Sequence, residues 1–134
     1  MPRKRKKPEP EYRLRVFHYR RETGKKSIAL VVETLKEFVS FRYEVLLEDK
    51  RADNDIHVRI LGLHAPVSIM PGTGPARGIR FYDSLSGTIG IHIKKFDGEM
   101  NEFAVTIGRT AVSLVRSPRN PFILFSLEPV TLEA

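Results

Sequence analysis

The segment Thr88-Ile-Gly-Ile-His-Ile-Lys-Lys-Phe-Asp-Gly-Glu-Met-Asn-Glu-Phe-Ala-Val-Thr-Ile-Gly108 decides the fold class. Its large apolar residues follow a period of two: Ile89, Ile91, Ile93, Phe103, Val105 and Ile107. Because successive side chains of a strand point to opposite faces, this period is typical of strands with one buried face. Asp97-Gly98 lies between the two runs and is a turn sequence. The segment therefore predicts two strands, Thr88–Phe96 and Glu102–Gly108.

The same alternation recurs on both sides of this segment. It predicts a first strand that begins at Tyr12, and further strands at Ser27–Glu33, Ile56–Ile60, Ile79–Asp83, Ala111–Arg116 and Phe122–Leu127. Gly24 lies in the turn between the first two. Short strands separated by turns every 8 to 12 residues or so are typical of sandwiches and barrels. We therefore expect an all-β fold, an antiparallel β-sandwich of about seven to nine short strands, with a barrel as the alternative.

The inward positions of these strands give a predicted core: Leu14, Val16, Ile28, Leu30, Val32, Phe41, Tyr43, Val45, Ile56, Val58, Ile60, Ile89, Ile91, Ile93, Phe103, Val105, Ile107, Val112, Leu114 and Leu124. Residues 34–48 fit either a strand or a helix, and their aromatic and β-branched residues favour the strand. The Asp49–Asp55 stretch predicts a polar loop. Residues 65–78 are rich in Pro and Gly, which predicts a long loop with at most a short strand inside it.

The length and composition favour one soluble domain. A chain of 134 residues supports a single core, and the absence of cysteine excludes disulfides and thiolate chemistry. The basic N-terminus, MPRKRKKPEP, has no apolar stretch after it and is not a signal peptide. No apolar run approaches the roughly 20 residues of a membrane-spanning helix. We expect a cytoplasmic protein with no membrane segment.

The net charge of +7 is concentrated at the N-terminal end. Residues 1–26 contain eleven basic and three acidic side chains, a balance of +8, whereas residues 27–134 contain twelve and thirteen, a balance of −1. Residues 1–10 combine five basic residues with three prolines, a composition that predicts a disordered tail. We therefore divide the chain into a tail (1–10) and one β domain (11–134).

No reaction-specific motif is present, so we expect a non-catalytic protein with no cofactor and no metal. His57 and His92 lie on outward faces of strands, and no spacing typical of metal ligands links them to His18 or His64. Asp49, Asp53 and Asp55 are interrupted by Lys50 and Arg51, which argues against a calcium loop. A weak ligand-binding candidate is the 71–80 loop, where Arg77 and Arg80 could bind a phosphate or carboxylate.

The first strand is a candidate nucleic-acid surface. Its outward face alternates basic and aromatic residues: Arg13, Arg15, Phe17, Tyr19 and Arg21. Bases could stack on the rings while guanidinium groups bind phosphates, and the basic tail would add salt-sensitive attraction. The alternative is a structural face, whose arginines pair with acids and whose aromatic residues cover a second core.

The last strand, Phe122–Leu127, is apolar on both faces. Its predicted outward residues, Ile123, Phe125 and Leu127, would need a cover outside the main core, either the 65–78 loop or a second copy of the chain. We therefore predict an interaction or assembly module that self-associates or binds another protein. The first alternative is nucleic-acid binding by the tail and first strand, and the second is a small-ligand binder or enzyme using the 71–80 loop.

Overall fold

The computed structural model describes residues 9–39, 43–65 and 72–132, and these form nine strands. They are β1 (Tyr12–Arg20), β2 (Lys26–Phe38), β3 (Glu44–Ala52), β4 (Asp55–His64), β5 (Gly74–Tyr82), β6 (Gly87–Lys94), β7 (Met100–Ile107), β8 (Val112–Arg116) and β9 (Ile123–Ser126). The all-β prediction is confirmed. Within these ranges there is no helix that could cross a membrane. Residues 1–8 of the predicted tail lie outside the described residues.

All nine strands belong to one mixed sheet, in the order β8-β7-β6-β4-β3-β5-β2-β1-β9. Most neighbours are antiparallel, but β1 pairs with β9, β3 with β5 and β4 with β6 in parallel. The sheet curls into a half-barrel. It therefore differs from the predicted antiparallel sandwich of two sheets. The reason is that the chain leaves the β3–β4 hairpin, adds β5 beyond β3, and then returns to the far side of β4 for β6. Local alternation carries no information about these crossovers.

The concave face of the sheet holds the main core. Nearly every predicted core residue that the structure describes is buried there, from Leu14 on β1 to Ile107 on β7. Leu114 and Leu124 are exceptions, since both are more than one-third exposed on the two edge strands. Tyr43 and Val112 pack against the core from partly buried positions, and Phe41 lies outside the described residues.

Three segments differ from their predicted form. Residues 34–39 continue β2 as far as Phe38 and residues 44–48 belong to β3, which agrees with the strand interpretation, while 40–42 lie outside the described residues. The predicted Asp49–Asp55 loop is a tight hairpin turn, with Asp53 at φ 54°. The predicted 65–78 loop contains the start of β5, and residues 66–71 lie outside the described residues.

Gly78 explains why a glycine-rich sequence forms β5. A Cβ atom at this position would collide with the backbone oxygen of Val45 and approach the Leu47 side chain to 2.8 Å. The glycine thus permits the close approach of β3 to β5, where Glu44 pairs with Arg77 among the described residues. Here glycine indicates close strand packing and not a loop.

Side-chain contacts connect the two edge regions of the sheet. The side-chain oxygen of Asn101 on β7 accepts hydrogen bonds from the backbone N–H groups of Phe122 (2.9 Å) and Ile123 (3.3 Å). The Phe103 and Phe125 rings lie 5.5 Å apart between β7 and β9. At the opposite end, a ring nitrogen of His18 lies 2.9 Å from the carbonyl oxygen of Gly108. These side-chain contacts therefore close the concave core at places where β7 does not pair with β1 or β9.

We predict that Asn101→Leu destabilises the protein by about 2–4 kcal/mol, because two buried N–H groups lose their acceptor. Asn101→Asp keeps an acceptor oxygen and should retain more of the stability. Urea unfolding of both variants, with the exposed Asn120→Leu as control, measures the difference. Equal stability of Asn101→Leu and wild type would show that the closure contributes nothing.

Candidate nucleic-acid interface

The arginines of the predicted first-strand surface surround one buried carboxylate. Glu33 on β2 is 1% exposed, and its neighbours in the adjacent strands are Arg13 on β1 and Arg77 on β5. The Nε groups of Arg15 and Arg77 donate to its two oxygens at 2.6 and 2.9 Å, and Arg13 lies 3.5 Å away. Arg15 also donates to the backbone oxygen of Glu128. These arginines thus hold three strands and the C-terminal segment together.

The arginines keep Glu33 charged despite its burial. Burial alone raises the pKa of this carboxyl, but the hydrogen bonds from Arg77 and Arg15 outweigh it and hold the pKa below its usual value. One carboxylate against three guanidinium groups leaves a local excess of two positive charges. Most of this excess positive charge lies on Arg13 and Arg77, whose side chains are partly exposed to solvent.

The aromatic residues of the same face belong to a second core. Phe17, Ala29, Val31 and Leu132 are buried together on the convex side of the sheet, with Tyr19, Ile79, Phe81 and Val130 packed around them. Tyr19 stacks on Phe81 at 5.3 Å, and the Arg21 guanidinium lies 4.6 Å above the Phe81 ring. Phe17 is only 5% exposed. In this arrangement Phe17 offers no ring face to a base, and the face has the structural role considered as the alternative.

The two arginines of the predicted ligand loop lie on β5 and point to different partners. Arg77 binds Glu33, as described above. Arg80 donates to Asp49 at 2.9 Å and to the backbone oxygen of Leu47 at 2.7 Å. Tyr82 donates to the other oxygen of Asp49, and burial together with this bond raises the pKa of Tyr82. The structure therefore does not bring Arg77 and Arg80 together at one site.

The side chains of the last strand point to the opposite faces from those predicted. Ile123 is completely buried in the main core and Phe125 packs against it, whereas Leu124 and Leu127 are exposed. The physical reason is an irregular strand start: Asn101 binds the consecutive N–H groups of Phe122 and Ile123, and both side chains are buried. A shift of one residue inverts the face of every following side chain. Of the three predicted self-association residues, only Leu127 remains exposed.

The histidine pair lies on the convex face with Asp55 beside it, whereas Asp49 faces the main core. The rings of His57 and His92 stack at 4.4 Å, and His92 lies within 3.3 Å of the carboxylates of Asp55 and Glu102. Asp49 is held by Arg80 and Tyr82, and therefore does not share a site with Asp53. Among the described residues, no group of three or more potential ligands is arranged to hold a metal ion.

A basic site that the sequence analysis missed lies at the end of the half-barrel where β1 ends and β2 begins. Arg20 and Lys26 at this hairpin approach Arg109 in the β7–β8 turn, and all three are exposed. None of them forms an ion pair with a described residue. The nearby Asp83 is paired with Lys25 at 3.1 Å. The site therefore presents three cations whose charge no described carboxylate neutralises.

His18 fixes the relative position of the two turns. The carbonyl oxygen of Gly108 can only accept, so the ring nitrogen at 2.9 Å, Nε2, is the one that donates a proton. This bond links the end of β1 to the residue before Arg109. A signal for the site was present in the sequence: residues 108–121 contain three arginines and no acid. What the sequence did not give was the proximity of this segment to the first hairpin.

Two adjoining cavities open at this end. One, of about 270 Å³, lies between the β5–β6 loop and the β7–β8 turn. The other, of about 250 Å³, lies beside Tyr19 and Arg20. His18, Lys26 and Arg109 line both cavities. Comparison of the chain with protein-family models, curated proteins and solved structures gave no match.

We predict that Glu33→Gln destabilises the protein by about 3 kcal/mol, because it leaves the buried Arg15 and the partly exposed Arg13 and Arg77 without their counter-charge. The exposed Glu37→Gln on the same strand is the matched control. The effect depends on pH. Because folding lowers the pKa of Glu33, the stabilisation is complete above about pH 4.5 and is lost as the pH falls through the folded pKa.

The stability difference between wild type and Glu33→Gln should therefore shrink in acid. Urea unfolding at neutral pH and near pH 3 measures it. A difference that stays constant over this range, or that equals that of Glu37→Gln, would contradict the role assigned to Glu33.

Proposed function

We propose that this protein is a non-catalytic module that binds the backbone of a nucleic acid through the basic end of the half-barrel. The observation that carries the proposal is the cluster of Arg20, Lys26 and Arg109, which lie at the mouth of a concave site without an acidic partner among the described residues. Phosphates are strong acceptors for such groups, and a concave basic site focuses the field on them.

The charge of the tail supports the same proposal. Residues 3–7 are five consecutive basic side chains, which attract a polyanion without sequence preference. They precede β1 by a few residues, whereas the basic site lies at the far end of that nine-residue strand. At about 3.3 Å per residue β1 extends roughly 26 Å, a length that several nucleotides cover.

We predict that the triple variant Arg20→Gln/Lys26→Gln/Arg109→Gln loses nucleic-acid affinity by roughly 30-fold or more at low salt. Three lost phosphate contacts should reduce the salt slope for a single strand by about 2. The matched control removes three exposed basic side chains from other parts of the molecule, Lys36→Gln/Lys94→Gln/Arg119→Gln. Fluorescence anisotropy with labelled oligonucleotides, from about 50 to 200 mM salt, measures both quantities.

Both triple variants are also prepared in a chain that starts at Glu9, so that the contribution of the basic tail is measured separately. If the two triple variants lose equal affinity for nucleic acid, the binding depends on net charge and not on a particular site. This result would overturn the assignment of binding to the basic end of the half-barrel. The absence of binding by wild type would overturn the proposed function itself.

Self-association is the second candidate function, and it is favoured by exposed apolar side chains on both edge strands. Leu114 and Val115 on β8 are 39% and 60% exposed, and Leu124 on β9 and Leu127 just after it are 36% and 41% exposed. Free strand edges with apolar side chains are templates for pairing with another chain. A second copy that covers them would form a closed dimer most simply by a twofold axis.

We predict that wild type is a dimer at high micromolar concentration and that Val115→Lys and Leu127→Lys each give a folded monomer, because a charge would be buried at the interface. Val39→Lys, at an exposed apolar position away from both edge strands, is the control. Light scattering measures the mass of each protein. A monomeric wild type would contradict this candidate.

A further inference from the structure

The larger cavity at the basic end has walls of a different chemistry from its rim. The walls are apolar where they are formed by Ile28 of β2, Leu85 of the β5–β6 loop and Ile107 of β7. Lys26 and Arg109 stand at the side that this cavity shares with its neighbour. Ser84 and Ser86 add hydroxyl groups to the lining. The cavity thus offers apolar contact and hydrogen bonds within reach of two cations.

The size of the cavity restricts its occupant. At about 270 Å³ it is smaller than the roughly 300 Å³ at which pockets for drug-sized ligands begin. The adjoining cavity of about 250 Å³ has similar dimensions. Two small cavities that share the cations Lys26 and Arg109 match two consecutive nucleotides, whose bases are connected through their sugars and the phosphate that links them.

We infer that the larger cavity takes one unpaired base of the bound nucleic acid, while the phosphate that follows lies on Lys26 and Arg109. The inference rests on the proposed function and specifies its substrate class as single-stranded nucleic acid. A base within a duplex is stacked and paired, so it cannot enter the cavity unless the duplex is opened at an energetic cost. The apolar walls contact any base, and the hydroxyl groups of Ser84 and Ser86 can either donate or accept, so the site tolerates different sequences.

The test compares a labelled oligothymidylate of about 12 nucleotides with a duplex of the same length, within the range of known single-strand sites. Wild type should bind the single strand about tenfold more tightly than the duplex, the gain expected from one base contact. Leu85→Phe fills the cavity, and Ser86→Leu narrows it from an exposed position. Each should reduce the single-strand affinity towards that of the duplex.

The salt slope separates this inference from the proposed function. The two occluding variants keep all the cations, so their slopes should equal that of wild type, whereas Arg20→Gln/Lys26→Gln/Arg109→Gln lowers the slope for both probes. Ser117→Leu, at an exposed serine far from the cavity, is the control for Ser86→Leu. Thermal melting verifies that each variant is folded.

Equal affinity of wild type for the two probes, with a steep salt slope, would overturn base insertion and leave the proposed function standing. An unchanged preference in both occluding variants would likewise overturn it. If wild type binds neither probe, both the inference and the proposed function fail.

Discussion

A single sheet has no second layer to pack against, and this constraint governs the whole molecule. Nine strands bury their apolar residues only because the sheet curls and brings β7 close to β9. A flat sheet with the same sequence would leave isoleucines and valines in water, at about 25 cal/mol for each Å² of apolar surface. The curl in turn leaves polar backbone groups where the edges meet without pairing. Asn101 accepts hydrogen bonds from two of these backbone N–H groups, which a further strand would otherwise have to pair.

The apolar side chains of the convex face are buried in a different way. Over β1, β2 and β5 it is covered by the C-terminal segment, with Val130 and Leu132 packed on the small second core. The buried charge of Glu33 lies next to this core and orients the arginines from two neighbouring strands. A row of arginines on a strand face does not by itself indicate a site for phosphate, because a buried carboxylate can pair with these arginines. The exposed cations of the proposed site lie at strand ends and in a turn: Arg20 ends β1, Lys26 begins β2 and Arg109 lies in the β7–β8 turn.

The sequence predicted the strands and their buried faces well, because alternation is a local property. Ile89 and Val105, for example, are buried where the pattern places them. It failed where the answer depends on residues far apart in the chain. Nothing near Gly78 indicates that β3 passes beside it, so the sequence predicts a loop where the structure has the first half of β5. The facing of β9 depends on Asn101, which lies more than twenty residues earlier. The basic site was missed for the same reason, since Arg109 meets the first hairpin only in the folded chain.

The pairing of β1 with β9 has a consequence for the order of folding. The strand that begins the sheet finds its second neighbour only among residues 123–126, more than one hundred positions later. On a ribosome, β1 and β2 can form their hairpin early, but the edge of β1 and the apolar convex face beside it stay uncovered until the last strand has emerged. Contacts between such distant positions are slow to form, and uncovered strand edges are prone to aggregation. Until residues 123–126 are synthesised, the nascent chain therefore exposes an unpaired strand edge that can aggregate.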